Sequence, residues 1–268
     1  MSWLFITAAL GPSNFTEAAK RLSTQVEALG VFSNCVIIDL ETIQDSWPSF
    51  STFVPADDWC AEKNYGNFVW KPILARMALS GRFGSYEGVC YLDAGCEVLP
   101  SLFSRRAFKG LMTHAELMGM VAFSTGTPEN QYTKSQLFER FELANRLDTS
   151  DQLAAGSWLS FGHSGRKIIE RWASVAESDY SLINDVVDRK HEIKEFQFHR
   201  HDQSIFSLAC KENNIQPFTK KPPGSANSFK SKVGNFLFAF RWARNRSGVS
   251  ANPFWLRKFG ELTLICPW

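Results

Sequence analysis

The chain has 268 residues, 44% of them hydrophobic and 21% charged, and a formal net charge of +2. That balance is ordinary for a soluble globular enzyme and excludes a largely disordered protein, and the length lies near the upper size for one domain. The cysteines (Cys35, Cys60, Cys90, Cys96, Cys210 and Cys266) show no paired metal-ligand spacing, and several stand in apolar runs where a thiol acts as a small hydrophobe, which fits a reducing compartment.

Met1 to Ile6 is apolar but short, lacks a basic leader and meets Gly11-Pro12 early, and no run approaches the roughly 18–20 apolar residues of a spanning helix. The expected location is cytoplasmic, with peripheral contact at the cytoplasmic membrane face. Trp3 to Ala9 reads as a buried strand. Asn14 to Leu29 then sets Phe15, Ala18, Leu22, Val26 and Leu29 on one helical face, with Asn14 and Glu17 as a capping box and Gly30 as the stop. Asn34 to Leu40 is a second apolar run, so the opening is a strand-helix-strand unit and the fold class is α/β.

Asp45 to Tyr65 has no clear period and reads as a long excursion near the binding edge. Pro72 suits a first helical residue, with Ile73, Leu74, Met77 and Ala78 as the apolar stripe, and Gly81, Gly84 and Gly88 end that helix before a strand at Val89 to Asp93. Beyond it the pattern predicts a helix over 111–118, a strand over 120–124 and a helix over 133–146. A strand over 154–161, a helix over 165–177 and a helix after Asp202 complete the order.

Three segments carry candidate chemistry. Asp93 ends a run that is apolar on both faces, where a carboxylate is expensive unless it bonds a ligand, a metal or backbone amides, and Gly95 permits close backbone approach. The alternative is an Asp that caps the next turn. Asn64 to Pro72 joins a glycine, aromatic faces and Lys71 ahead of a helix, which attracts a pyrophosphate; otherwise Phe68 and Trp70 plug the core and Lys71 stays solvated. His199-Arg200-His201-Asp202-Gln203 gathers polar groups at a helix start, with Asp202 as a base or hydroxyl-orienting group, or simply an N-cap. There is no Walker loop, no Gly-x-Ser-x-Gly elbow and no dinucleotide fingerprint after the first strand.

Tyr91-Leu92-Asp93-Ala94-Gly95, Ala154-Ala155-Gly156-Ser157 and His201-Asp202-Gln203, in that order, resemble nucleotide-sugar glycosyltransferases of the GT-A fold over roughly Trp3 to Lys211. The likeness is to the glycogenin and lipopolysaccharide galactosyl- and glucosyltransferase class, and the pair Trp70-Lys71-Pro72 and Tyr91-Leu92-Asp93-Ala94-Gly95-Cys96 is similar to bacterial polysaccharide-synthesis transferases. In that class a strand ends in Leu-Asp-x-Asp, a later strand carries Asn-x-Gly, and Asp-Gln opens a helix. The resemblance implies a Rossmann-like, mostly parallel sheet flanked by helices. It also implies transfer of a hexose from a UDP- or GDP-sugar to a hydroxyl of a saccharide or lipid-linked acceptor, in surface polysaccharide synthesis.

By the same resemblance Thr7 and Ala8 contact the nucleotide, while Trp70, Lys71, Asp93, Ala94, Gly95 and His201 line the donor site. Gly156 and Ser157 line the sugar or acceptor pocket, and Asp202 and Gln203 stand beside the transferred sugar. The family's second metal-binding Asp falls on Gly95, its Asn falls on Ala155, and no histidine follows His201. The implied cofactor is Mn²⁺ or Mg²⁺ held by Asp93, with basic side chains as the alternative counter-charge.

From Asn213 to Gly260 the chain has nine Lys or Arg and no Asp or Glu. We therefore divide it into a transferase domain (1–212) and a basic, aromatic C-terminal extension (213–268). In the extension Phe229-Lys230-Ser231-Lys232 leads into Phe236, Phe238, Phe240, Arg241, Trp242, Arg244 and Arg246. That interleaving suits either packing on the domain or an anionic membrane surface as partner. A noncatalytic nucleotide- or nucleic-acid-binding protein that uses this basic end is the other class of function; no nucleic acid is expected on the transferase reading.

Overall fold

The computed structural model describes residues 1–143, 149–218 and 241–242. Elements follow in chain order: β1 (Trp3–Ala8), α1 (Ser13–Glu27), β2 (Asn34–Ile38), α2 (Leu40–Ser46), α3 (Phe50–Phe53), α4 (Asn64–Asn67), α5 (Trp70–Leu79), β3 (Gly88–Leu92) and β4 (Cys96–Glu97). Then come α6 (Leu102–Met118), β5 (Met120–Pro128), α7 (Glu129–Tyr132), α8 (Ser135–Arg140), β6 (Asp151–Phe161), α9 (Gly162–Ser178), α10 (His201–Glu212) and β7 (Arg241–Trp242).

The main sheet has the order β2-β1-β3-β6-β5. β2 and β3 pair parallel with β1, and β6 runs antiparallel to both β3 and β5. Four strands therefore point one way and β6 alone is reversed, which makes this a mixed, mostly parallel α/β sheet. Both faces are covered. Leu4, Ile6, Val89, Tyr91 and Trp158 enter a core shared with α5, α9 and α10, whereas Trp3, Phe5, Cys90, Leu92 and Leu159 face α1 and α6. Burial on both faces is why these strands read as continuous apolar runs rather than as alternating ones.

The structure corrects several expected boundaries. The Asn14/Glu17 capping box does not form: α1 starts at Ser13 behind Pro12 with no side-chain cap, and Glu17 pairs with Lys20 at 3.2 Å. The excursion after Asp45 contains α3, a 3₁₀ turn at Ala56–Asp58 and α4. α5 starts two residues ahead of Pro72, which still lies in the first turn where a missing N–H costs nothing. α6 begins at Leu102 because Ser101 accepts the Ser104 amide as an N-cap; its first residues, Leu102 and Phe103, are exposed, so no inward stripe marks the start. The helix predicted over 133–146 is only α8, ended at Glu142 by a left-handed φ of 54°, and residues 144–146 lie outside the described residues. β5 and β6 run longer than expected.

Cys35, Cys60, Cys90, Cys96 and Cys210 are free thiols; Cys266 lies outside the described residues. The basic extension also lies outside them from residue 219 onward, except for β7, which pairs antiparallel with β4. Among the described residues no helix is long and apolar enough to cross a membrane.

Candidate active site

β3 is wholly buried and releases Asp93 at its carboxyl end, on the edge of a sheet where α/β proteins hold ligands. The Asp93 amide donates to the Gly156 carbonyl at 2.8 Å, and the Cys96 amide donates back to the Asp93 carbonyl at 2.8 Å, closing a tight turn through Ala94 and Gly95. Arg21 of α1 clamps that turn, its guanidinium donating to the carbonyls of Ala94 at 3.0 Å and Cys96 at 2.9 Å. The carboxylate lies against β6. A Cβ built on Gly156 would stand 2.4 Å from Asp93 Oδ2, so glycine leaves room for the acid in its present place and a larger residue would make the carboxylate shift.

Two groups engage the carboxylate. The Tyr91 hydroxyl donates to Oδ1 at 2.6 Å, and the Lys71 ammonium sits 2.9 Å from Oδ1 and 3.2 Å from Oδ2. Tyr91 stacks on Trp158 with ring centroids 5.6 Å apart, and burial followed by the Asp93 charge pushes its pKa well up, so it remains a donor. Lys71 is buried in the first turn of α5 beneath Phe68, whose ring centroid is 4.7 Å from Nζ. Burial pulls the ammonium's pKa down, but Asp93 and then Asp202 outweigh it and carry the net shift upward. A lysine and a helix N-terminus both attract anions, and here the Asp93 carboxylate takes that place.

Asp202 completes the cluster from the first turn of α10. It is 3% exposed, and its Oδ2 has no hydrogen-bond partner. Burial raises its pKa to about 7; Lys71 opposes that shift and Asp93 adds to it. Its backbone is fixed, since the Trp172 indole donates to the Asp202 carbonyl at 2.9 Å. α10 is further held by a buried network: Gln152 of β6 donates to Glu129 and Ser204, and Ser207 bonds Glu129, whose carboxylate also meets Lys211 at 3.0 Å.

The structure thus brings Asp93, Lys71, Gly156 and Asp202 together at the exit of β3, with Gly95 half-exposed at its turn and Trp70 beside Phe68. The other candidates are engaged differently. Thr7 Oγ1 donates to the Leu92 carbonyl at 2.8 Å and locks β1 to β3; Ala8 and Ala94 are buried. Ser157 is fully buried opposite Leu92. Gln203 donates to Gln152 at 2.7 Å, within the network that seats α10. His201 has its Nδ1 2.8 Å from the Ile183 carbonyl, and burial lowers its pKa, so the ring is a neutral anchor of the 182–185 segment rather than a cation.

Sequence reasoning missed Tyr91, Arg21 and the conformation ahead of α5. Asn64, Tyr65, Gly66, Asn67 and Phe68 all have positive φ, between 50° and 74°. Such a left-handed turn costs about 1–2 kcal/mol per non-glycine residue. It is held by the Trp70 indole donating to the Asn64 carbonyl at 3.1 Å and by Asn67 donating to the Tyr180 hydroxyl at 3.0 Å. The Asn-x-Gly-Asn composition was the one available signal, since Asn and Gly tolerate this region best.

Asp93 is the one protein ligand for the divalent cation that the resemblance implies. Among the described residues no group of three His, Cys, Asp or Glu side chains converges, and both Asp93 oxygens already face the Lys71 ammonium. Hard cations need several oxygen ligands.

No family model matches the sequence, and no curated protein matches it. Among solved structures, the apo form of mouse xyloside xylosyltransferase 1 aligns with a TM-score of 0.40 and 11% identity, over 89% of this chain and 94% of that one. That overlap is below the level at which a fold or residue roles transfer.

Proposed function

We propose that the protein is a glycosyltransferase that moves a hexose from a UDP- or GDP-sugar to a hydroxyl of a saccharide or lipid-linked saccharide in surface polysaccharide synthesis. The observation that carries this reading is the Asp93–Lys71–Asp202 cluster at the exit of β3 and the start of α10, with Lys71 and Asp202 buried and Asp93 partly exposed. A cation set between two acids suits a reaction that expels a nucleoside diphosphate while a hydroxyl attacks. Lys71 neutralises the departing phosphate, and the α5 N-terminus adds to that field. Asp93, with its side chain 43% exposed, orients Lys71 and offers a carboxylate to ribose or sugar hydroxyls.

Asp202 holds a proton near neutrality, the range in which a general base is most effective. If the anomeric centre inverts, Asp202 takes the acceptor's proton; if configuration is retained, its charge stabilises the oxocarbenium-like sugar. Lys71 supplies the counter-charge that the resemblance assigned to Mn²⁺ or Mg²⁺.

The test is a donor panel with purified protein. Release of UDP or GDP from one nucleotide sugar is expected, and both Asp93→Ala and Asp202→Ala should lower it at least about a hundred-fold with unchanged circular dichroism. Retained turnover in both variants would remove this cluster from the chemistry.

A further inference from the structure

α6 presents an outer face that its packing does not explain. Ser104, Ala107, Phe108, Leu111, Met112 and Ala115 are buried toward the sheet. Leu102, Arg106, Lys109, Thr113 and Leu117 recur at spacings of three and four along the opposite side, flanked by Phe103 and Arg105, and all are exposed. Of the seven large hydrophobics exposed among the described residues, Leu102 at 78%, Phe103 at 54%, Leu117 at 78% and Met118 at 50% belong to this one helix. None of Arg105, Arg106 and Lys109 forms an ion pair among the described residues.

The basic extension starts and returns at this helix. Phe218 donates its amide to the Ala122 carbonyl at 2.7 Å and packs on His114 of α6 at 5.0 Å, and β7 pairs with β4 just ahead of the α6 N-terminus. Residues 219–240 between those anchors contain Lys220, Lys221, Lys230 and Lys232, four phenylalanines and no acid. Their charge has the same sign as that of the α6 face, so the segment supplies no counter-charge to it. Both seek an anionic, partly apolar partner.

We propose that the outer face of α6 docks on an anionic lipid bilayer, with Arg105, Arg106 and Lys109 at the phosphate level and Leu102, Phe103 and Leu117 reaching the acyl boundary. Nucleic acid would use the cations but has no place for exposed leucines at both ends of the helix. The docking itself does not depend on the sugar-transfer reading.

The experiment is co-sedimentation of the full chain with phosphatidylcholine vesicles, with or without phosphatidylglycerol, at rising salt; no turnover is needed. Binding is expected only to the anionic vesicles. Each cation at such a surface contributes about five-fold in partition, so R105Q/R106Q/K109Q should bind roughly a hundred-fold more weakly. L102S/L117S should bind at least about ten-fold more weakly and lose the part of binding that survives high salt. Two results would overturn the proposal: no vesicle binding by the native chain, or native-like binding by both variants, which would leave the extension as the sole anchor. Binding of duplex DNA that needs the three cations but not the leucines would assign the face to nucleic acid instead.

Discussion

Asp202 titrates near pH 7 in the folded chain against an ordinary 3.8, because burial disfavours its charge. The native state therefore binds more protons than the unfolded state between those values. The stability this gives is fully present below about pH 4 and is lost as pH rises through about 7. Asp202→Asn should accordingly raise Tm at pH 8 by about 2–4 °C, with little change at pH 4, the Lys71 attraction offsetting part of the gain. If Asp202 is the general base proposed above, turnover should climb with pH through about 7. Lys71→Met keeps the buried stem but removes the charge that holds the Asp202 pKa down, so the residual pH–rate limb should move to higher pH. An unmoved limb would show that the two groups do not interact. Gly156→Ala drives a methyl into Asp93 Oδ2; we expect a cost of about 1–3 kcal/mol by denaturant titration and loss of donor-induced thermal stabilisation.

Among the elements, α6 and the turn before α5 show opposite relations between backbone and role. Gly110 sits inside α6 with open space where its Cβ would be, so Gly110→Ala should stabilise the chain by about 1 kcal/mol, read as a Tm increase of about 2–4 °C. The Asn64 to Phe68 turn instead holds a costly conformation and delivers Phe68 over Lys71. Its backbone could not be read from residue pattern, because five consecutive left-handed residues run against local preference and persist only through Tyr180 and Trp70. The start of α6 was hidden for a related reason: its first apolar residues face outward, so amphipathic periodicity begins only at Ser104.

For the whole molecule, α/β organisation was legible because a sheet covered on both faces needs unbroken apolar strands, and Trp3 to Ala8 and Gly88 to Leu92 are such runs. The reversed direction of β6 was not, since no residue in a buried strand records which way its neighbour runs. Asp93 and Asp202 stood out as acids at the ends of apolar elements. Tyr91 and Arg21 did not, because their partners come only with the tertiary fold. If Lys71 takes the place of a cation as proposed, UDP or GDP should raise Tm equally with and without Mn²⁺, and a shift that needs Mn²⁺ would reverse that assignment. The closeness of Gly156 to Asp93 also couples two positions sixty-odd residues apart. A side chain at 156 would force the Asp93 carboxylate to turn away from its present place, so a change at the first position is felt at the second.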